Sequence, residues 1–135
     1  MNPLVLAVDD ERDILDLVQF HLTRVGCEVV TAASGRDALE SIRVRRPDLL
    51  LLDLMLPDID GFAICEILRR QAATAAIPIV IVSAWNTDDS RHLGLDLGAL
   101  DFVTKPFSPK VLVERVMSLL NLRAPGTPPG IIKAG

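Results

Sequence analysis

No apolar run in this chain approaches the roughly 20 residues that a membrane-spanning helix needs, so no membrane span is expected. Nor does a charged amino-terminal stretch lead into an apolar segment with a small-residue cleavage site, so no secretory signal is legible. Positive charge is scarce: 14 Lys and Arg stand against 18 Asp and Glu, a net charge of −4. That balance argues against a domain that itself grips nucleic acid, because a phosphate backbone demands a basic face. Cysteine occurs only at positions 27 and 65, without the spacing of a metal site. The two thiols read as small buried hydrophobes in a reducing compartment, which makes the cytoplasm the expected location. Tyrosine is absent and Trp85 is the sole tryptophan. Apolar residues, in contrast, make up half of the 135, enough for one domain with a sound core.

Those apolar residues cluster in short runs, and four of the runs end in a polar group. Leu4–Val8 leads to Asp9 and Asp10, Leu49–Leu52 to Asp53, Ile77–Val82 to Ser83, and Phe102–Thr104 to Lys105 and Pro106. Runs of this length, bounded by charge or turn residues, read as strands buried on both faces. Glu28–Ala32 is a fifth short strand, with no polar group at its end. Between the runs the period is helical. Ile14, Leu15, Val18, Leu22 and Val25 form one stripe, closed by Gly26. Ser34 caps a helix carrying Ala38, Leu39 and Ile42, and a third helix presents Phe62, Ile64, Ile67 and Leu68. Thr87–Leu97 is a weaker helix interrupted by Gly94, with Asp88 and Asp89 favouring its start through the dipole. Ser108 and Pro109 open the last helix, over Leu112, Val113, Val116, Leu119 and Leu120. Residues 124–135, with three prolines and three glycines, read as a tail or linker after a domain spanning 1–123.

Five β-α units in succession predict a parallel sheet with helices on both faces. In the flavodoxin-like (βα)5 arrangement the strand order is 2-1-3-4-5, and ligands bind beyond the carboxyl ends of the strands where the order reverses. That point lies between the strands carrying Asp9, Asp10 and Asp53, with Ser83 and Lys105 next along the same edge. Three converging carboxylates repel one another unless a cation intervenes. Mg²⁺ suits one or two carboxylates together with phosphate oxygens. Asp53, at the centre of the sheet, can then attack phosphorus to give an aspartyl phosphate, with Lys105 and the Ser83 hydroxyl on the other phosphoryl oxygens. Each residue alone is a weak signal, since a lone Asp after a strand is more often a turn former. Their recurrence at four of five strand ends is a strong one.

The stretches Leu4-Val-Leu-Ala-Val-Asp-Asp-Glu11, Leu52-Asp-Leu-Met-Leu-Pro-Asp-Ile-Asp-Gly61, Ile81-Val-Ser-Ala84 and Gly98-Ala-Leu-Asp-Phe-Val-Thr-Lys-Pro-Phe107 resemble the receiver domain of two-component response regulators over residues 3–123. The resemblance implies that Asp53 takes phosphate from a phosphohistidine on a sensor histidine kinase or phosphotransfer protein. It implies Asp10, Asp53 and the Met55 backbone carbonyl as direct Mg²⁺ ligands and Asp9 as a ligand through water. Phe102 becomes a switch aromatic coupled to Ser83, and the Lys105–Pro106 bond is expected to be cis. Receivers of transcription factors often dimerise through the fourth helix, fifth strand and fifth helix. Arg91, Asp96, Asp101 and Arg115 stand at matching positions, with Leu100 in place of an acid, so a phosphorylation-dependent homodimer is expected.

Phe102 stands where Tyr is common, and its outward state would lack a hydroxyl. Trp85, two residues beyond Ser83, is expected at the mouth of the site, as a half-exposed loop aromatic or as a lid that excludes water. His21 and His92 have no metal-ligand neighbours and read as ordinary surface or partly buried histidines. Among rival functions, a phosphohydrolase using Asp53 would want a carboxylate where Met55 stands, and a flavin carrier would want a phosphate loop where Asp9-Asp10-Glu11 repels phosphate. The domain is thus expected to be no enzyme beyond handling its own phosphate. The alternative is a degenerate receiver that binds partners without phosphorylation.

Overall fold

Runs of β-branched and leucine side chains without interior charge become five strands: β1 (Leu4–Val8), β2 (Glu28–Ala32), β3 (Leu49–Leu52), β4 (Ile79–Ser83) and β5 (Asp101–Thr104). In the computed structural model, which describes residues 2–122, they form one parallel sheet in the order β2-β1-β3-β4-β5. The helices are α1 (Arg12–Arg24), α2 (Gly35–Val44), α3 (Gly61–Arg69), α4 (Asp88–Asp96) and α5 (Pro109–Leu122). No helix among the described residues is long and apolar enough to cross a membrane. The tail expected over 124–135, and with it the domain boundary at 123, lies outside the described residues.

Alternation along the strands splits the core in two. Leu49 and Leu51 of β3 join Val5, Leu15, Leu22, Leu112 and Val116 on the side of α1 and α5. Leu50 and Leu52 join Leu6, Ile42, Ile64, Leu68 and Ile81 on the side of α2 and α3. Every residue of β1, β3 and β4 is buried, so both faces of the sheet centre are dry. The caps follow the sequence. Ser34 Oγ accepts from the Asp37 N–H at 3.1 Å, Thr87 Oγ1 from Ser90 at 3.1 Å, and Ser108 Oγ from Val111 at 3.4 Å.

Four details differ from the sequence reading. Val25, the last member of the α1 stripe, is exposed, because the chain leaves the helix there and turns through Gly26 at φ +96°. Ile67 is also on the exposed side of α3, and Cys65 takes its place against the core. β4 begins at Ile79, later than the apolar run from Ile77, although the Pro78 carbonyl accepts from the Leu50 N–H at 2.9 Å. β5 starts one residue earlier than read, at Asp101. The interruption at Gly94 has a packing reason: a Cβ there would lie 2.6 Å from Ile81 Cδ1, so α4 rests directly on the sheet. Both cysteines are free and buried, as expected.

Arg69 is a residue whose role the sequence did not announce. From the end of α3 its guanidinium donates to the carbonyls of Ala75 (2.6 Å), Ile77 (3.1 Å) and Gly98 (2.8 Å). It ties the approach to β4 to the turn after α4, at the edge of the sheet opposite Asp53.

Candidate functional site

The hydrogen-bond ladder of the sheet runs one residue past the ends of β1, β3 and β5, and in each case that residue is a candidate functional one. The Asp9 N–H donates to the Ala32 carbonyl (3.1 Å), Asp53 to Val8 (3.0 Å) and Lys105 to Ser83 (3.0 Å). Backbone pairing of this kind holds the side chains on rigid elements. Asp9, Asp10 and Asp53 each offer a carboxylate oxygen, and these oxygens lie within 4.8 Å of one another. Asp9 and Asp53 are buried, whereas Asp10 faces solvent. The Lys105 ammonium sits among them, 2.6 Å from Asp9 Oδ2 and 3.1 Å from Asp53 Oδ2, with Glu11 Oε1 at 3.2 Å. The Lys105–Pro106 bond is cis, as the resemblance implies.

Burial raises the pKa of Asp9 above the ordinary carboxylate value, and the Asp53 charge adds to it, against hydrogen bonds from Lys105 and the Glu11 N–H. Burial pulls the other way on Lys105, but Asp9 and Asp53 prevail and hold its pKa above the usual lysine value. The pocket thus carries more buried negative charge than one ammonium matches. An all-oxygen donor set with surplus negative charge fits a hard divalent cation such as Mg²⁺.

Ser83 closes β4 and is fully buried. Its hydroxyl accepts from the Trp85 N–H at 3.2 Å. Since Leu52 pairs with Ile81, Ser83 lies one step beyond the level of Asp53 on the neighbouring strand. Met55 is exposed, and its N–H donates to Asp53 Oδ1 at 3.2 Å. An open cleft of about 750 Å³ lies beside these groups, lined by Asp10, Met55, Pro57, Asp58, Ala84 and Trp85, among others. Trp85 therefore stands at the mouth, 45% exposed and edge-on to Phe62 at 5.7 Å between centroids. His21 is partly buried and His92 exposed, in line with their ordinary reading.

Phe102 is buried in β5, with the Arg91 guanidinium 5.0 Å from its ring centroid. Arg91 also donates to Thr104 Oγ1 at 3.2 Å. On the same face Arg115 and Asp101 form an ion pair within the chain at 2.5 Å, and Leu100 is half exposed. Two contributors near the site went unread in the sequence. Glu11 was noted only as a repeller of phosphate, yet its carboxylate helps hold Lys105. Asp58 accepts from the backbone N–H groups of Gly35 (2.8 Å) and Arg36 (2.9 Å), contacts between loop and helix that no local pattern signals.

A five-stranded parallel sheet in this order, with an acidic pocket and a lysine at its switch point, defines an open α/β domain of the receiver type. The chain belongs to the response regulator receiver domain family, which it matches over residues 5–117. Members of this family are signalling domains rather than classical enzymes. It is 43% identical over 121 residues to the alkaline phosphatase synthesis transcriptional regulatory protein PhoP of Bacillus subtilis, covering 90% of this chain and 50% of that protein. It is also 43% identical over 119 residues to the transcriptional regulatory protein AfsQ1 of Streptomyces coelicolor, covering 88% and 52%. The chain spans about half the length of these curated relatives. Among solved structures, the Francisella response regulator 1452 receiver domain superposes with a TM-score of 0.85 at 32% identity, covering 91% of this chain and all of that one. The chemotaxis response regulator CheY4 of Vibrio cholerae superposes with a TM-score of 0.83 at 31% identity, covering 88% and 99%.

Proposed function

We propose that this domain is the phosphoacceptor switch of a two-component system, with Asp53 taking a phosphoryl group from a phosphohistidine on a sensor histidine kinase or phosphotransfer protein. The observation that carries the reading is the meeting of Asp9, Asp10 and Asp53 around the Lys105 ammonium at the sheet edge. Asp10, Asp53 and the Met55 carbonyl would hold Mg²⁺ directly, and Asp9 would act on it through water. Bound there, the ion supplies charge neutralisation for the carboxylates and the incoming phosphoryl oxygens. An Asp53 carboxylate oxygen forms the new bond to phosphorus as the P–N bond to imidazole breaks, and the departing nitrogen keeps the electron pair and is protonated. Lys105 donates to one phosphoryl oxygen and the Ser83 hydroxyl to another. Pulling Ser83 toward the phosphate opens room for Phe102, so the change reaches α4, β5 and α5. There the domain forms a homodimer, and contact with nucleic acid is left to whatever else the protein carries.

Incubation with acetyl phosphate or phosphoramidate and MgCl₂ tests the assignment by intact-protein mass. One phosphoryl group is expected on the wild type, and none after chelation of the metal or in Asp53→Asn. Wild-type uptake by Asp53→Asn would overturn it.

A further inference from the structure

The loop between β3 and α3 carries Met55, and its two ends are fixed by backbone contacts. Asp53 is held by the Val8 carbonyl, and the Gly61 N–H donates to the Leu54 carbonyl at 3.1 Å. In between, Leu56 and Ile59 pack against the core. A polar anchor of the loop is Asp58, whose carboxylate meets the start of α2. Its Oδ1 accepts from Gly35 at 2.8 Å and from its own neighbour Ile59 at 2.9 Å, while Oδ2 accepts from Arg36 at 2.9 Å. The N–H groups of Arg36 and Gly35, in that order, hold the Asp58 carboxyl below the usual pKa.

Helix starts leave such donors unpaired, and a carboxylate there is favoured by the dipole. The approach also requires glycine at position 35. A Cβ there would come within 2.8 Å of Ile59 Cβ, 3.0 Å of Ile64 Cδ1 and 3.3 Å of Asp58 Oδ1. Ser34 serves the same helix end through Asp37 but makes no such bond to the loop. Two side chains thus cap one helix, and only one of them is tethered to the segment bearing Met55.

We propose that Asp58 is a positioning residue, anchoring the β3–α3 loop to α2 so that the Met55 carbonyl is held in place for a divalent cation bound by Asp10 and Asp53. The inference rests on the cation-binding reading above. Groups one step behind a metal ligand commonly set its affinity by tenfold or more, because the ligand must be held before the ion arrives. An exposed carboxylate serving only as a helix cap would affect folding and leave the metal alone.

The test uses Mn²⁺, an oxygen-seeking octahedral probe whose free EPR signal falls as it binds. The whole chain is compared with Asp58→Ala, Asp58→Asn and Ser34→Ala, with thermal melts alongside. Asp58→Ala is expected to bind Mn²⁺ about tenfold more weakly. Ser34→Ala should lower the melting temperature yet bind like the wild type. Asp58→Asn keeps the Oδ1 acceptor but loses the charge, so it should fall between, and it carries the comparison if Asp58→Ala does not fold. Unchanged affinity in the folded Asp58 variants would overturn the inference, as would equal weakening by Ser34→Ala. A wild type that binds no Mn²⁺ would overturn the cation-binding reading itself, an outcome separable from the first two.

Discussion

Replacing Lys105 by Met keeps an unbranched apolar stem of similar length and removes only the ammonium. The side chains of Lys105, Asp9 and Asp53 are 10%, 5% and 5% exposed, so the two carboxylates lose their nearest counter-charge in a largely dry site. Removing one partner of a buried ion pair costs about 3–5 kcal/mol, because the other charge is left uncompensated. Protonation limits that cost. A carboxyl with the ordinary pKa of 3.8 takes up a proton at neutral pH for about 4 kcal/mol, and Asp9, whose pKa is raised, does so for less. Opening toward the solvent at Asp10 lowers it further. A loss of about 2–3 kcal/mol is therefore expected in metal-free buffer at neutral pH.

Two dependences follow from the same charges. Because the pKa of Lys105 is raised, its contribution is fully present below the ordinary lysine value of 10.5 and is lost as pH rises through the higher folded value. At neutral pH the variant therefore shows the whole deficit, and the deficit shrinks in acid as Asp9, whose pKa is raised, takes up a proton. A divalent cation should replace the missing charge, so saturating MgCl₂ should stabilise Lys105→Met more than the wild type. Urea denaturation with and without MgCl₂ measures all of this. A metal-free loss under about 1 kcal/mol, the scale of an exposed pair, would refute the buried-charge argument. So would a deficit indifferent to magnesium.

Cys65, buried at the α3–sheet contact, has its thiol pushed up to about 11 by desolvation, so about one thiol in a thousand is ionised at pH 8. A disulfide-exchange reagent should label neither cysteine readily in the native protein, label both after urea, and react faster as pH rises toward that value; prompt native labelling of Cys65 would contradict the packing. For the proposed homodimer, sedimentation should show a larger species with beryllofluoride and Mg²⁺, weakened in Arg115→Glu, which breaks the pair with Asp101. An unchanged mass at high protein concentration would assign the α4–β5–α5 face to a different partner.

Strand order and the acidic pocket were legible because buried parallel strands leave only their ends free for polar groups. Asp9, Asp53, Ser83 and Lys105 therefore stood out against apolar runs. Asp58 and Arg69 were not legible for the opposite reason. Their partners are backbone N–H groups at positions 35 and 36 and backbone carbonyls at 75, 77 and 98. Main-chain atoms carry no residue-type signature, and sequence distance hides the meeting. Gly94 shows the same limit: by period it weakens a helix, and only the Ile81 methyl group beneath it explains why nothing larger fits. Val25 continued the stripe by count alone, since periodicity does not reveal where the chain abandons the helix.

The seating of α4 has a mechanical consequence. Its only buried residues are Ser90 and Gly94, while Leu93 and Leu95 point outward. The helix is thus fastened by the Ser90 hydroxyl, which donates to the Trp85 and Thr87 carbonyls, and by the closeness of bare backbone at Gly94, with Arg91 laid over Phe102 as a strap. Little apolar area is forfeited if it slides, whereas lifting Leu22 or Leu68 from the core would forfeit a whole side chain. Of the five slats around the sheet, this is the one that friction holds least. If the buried Phe102 ring beside it were to move, α4 is the element that could follow at small energetic expense.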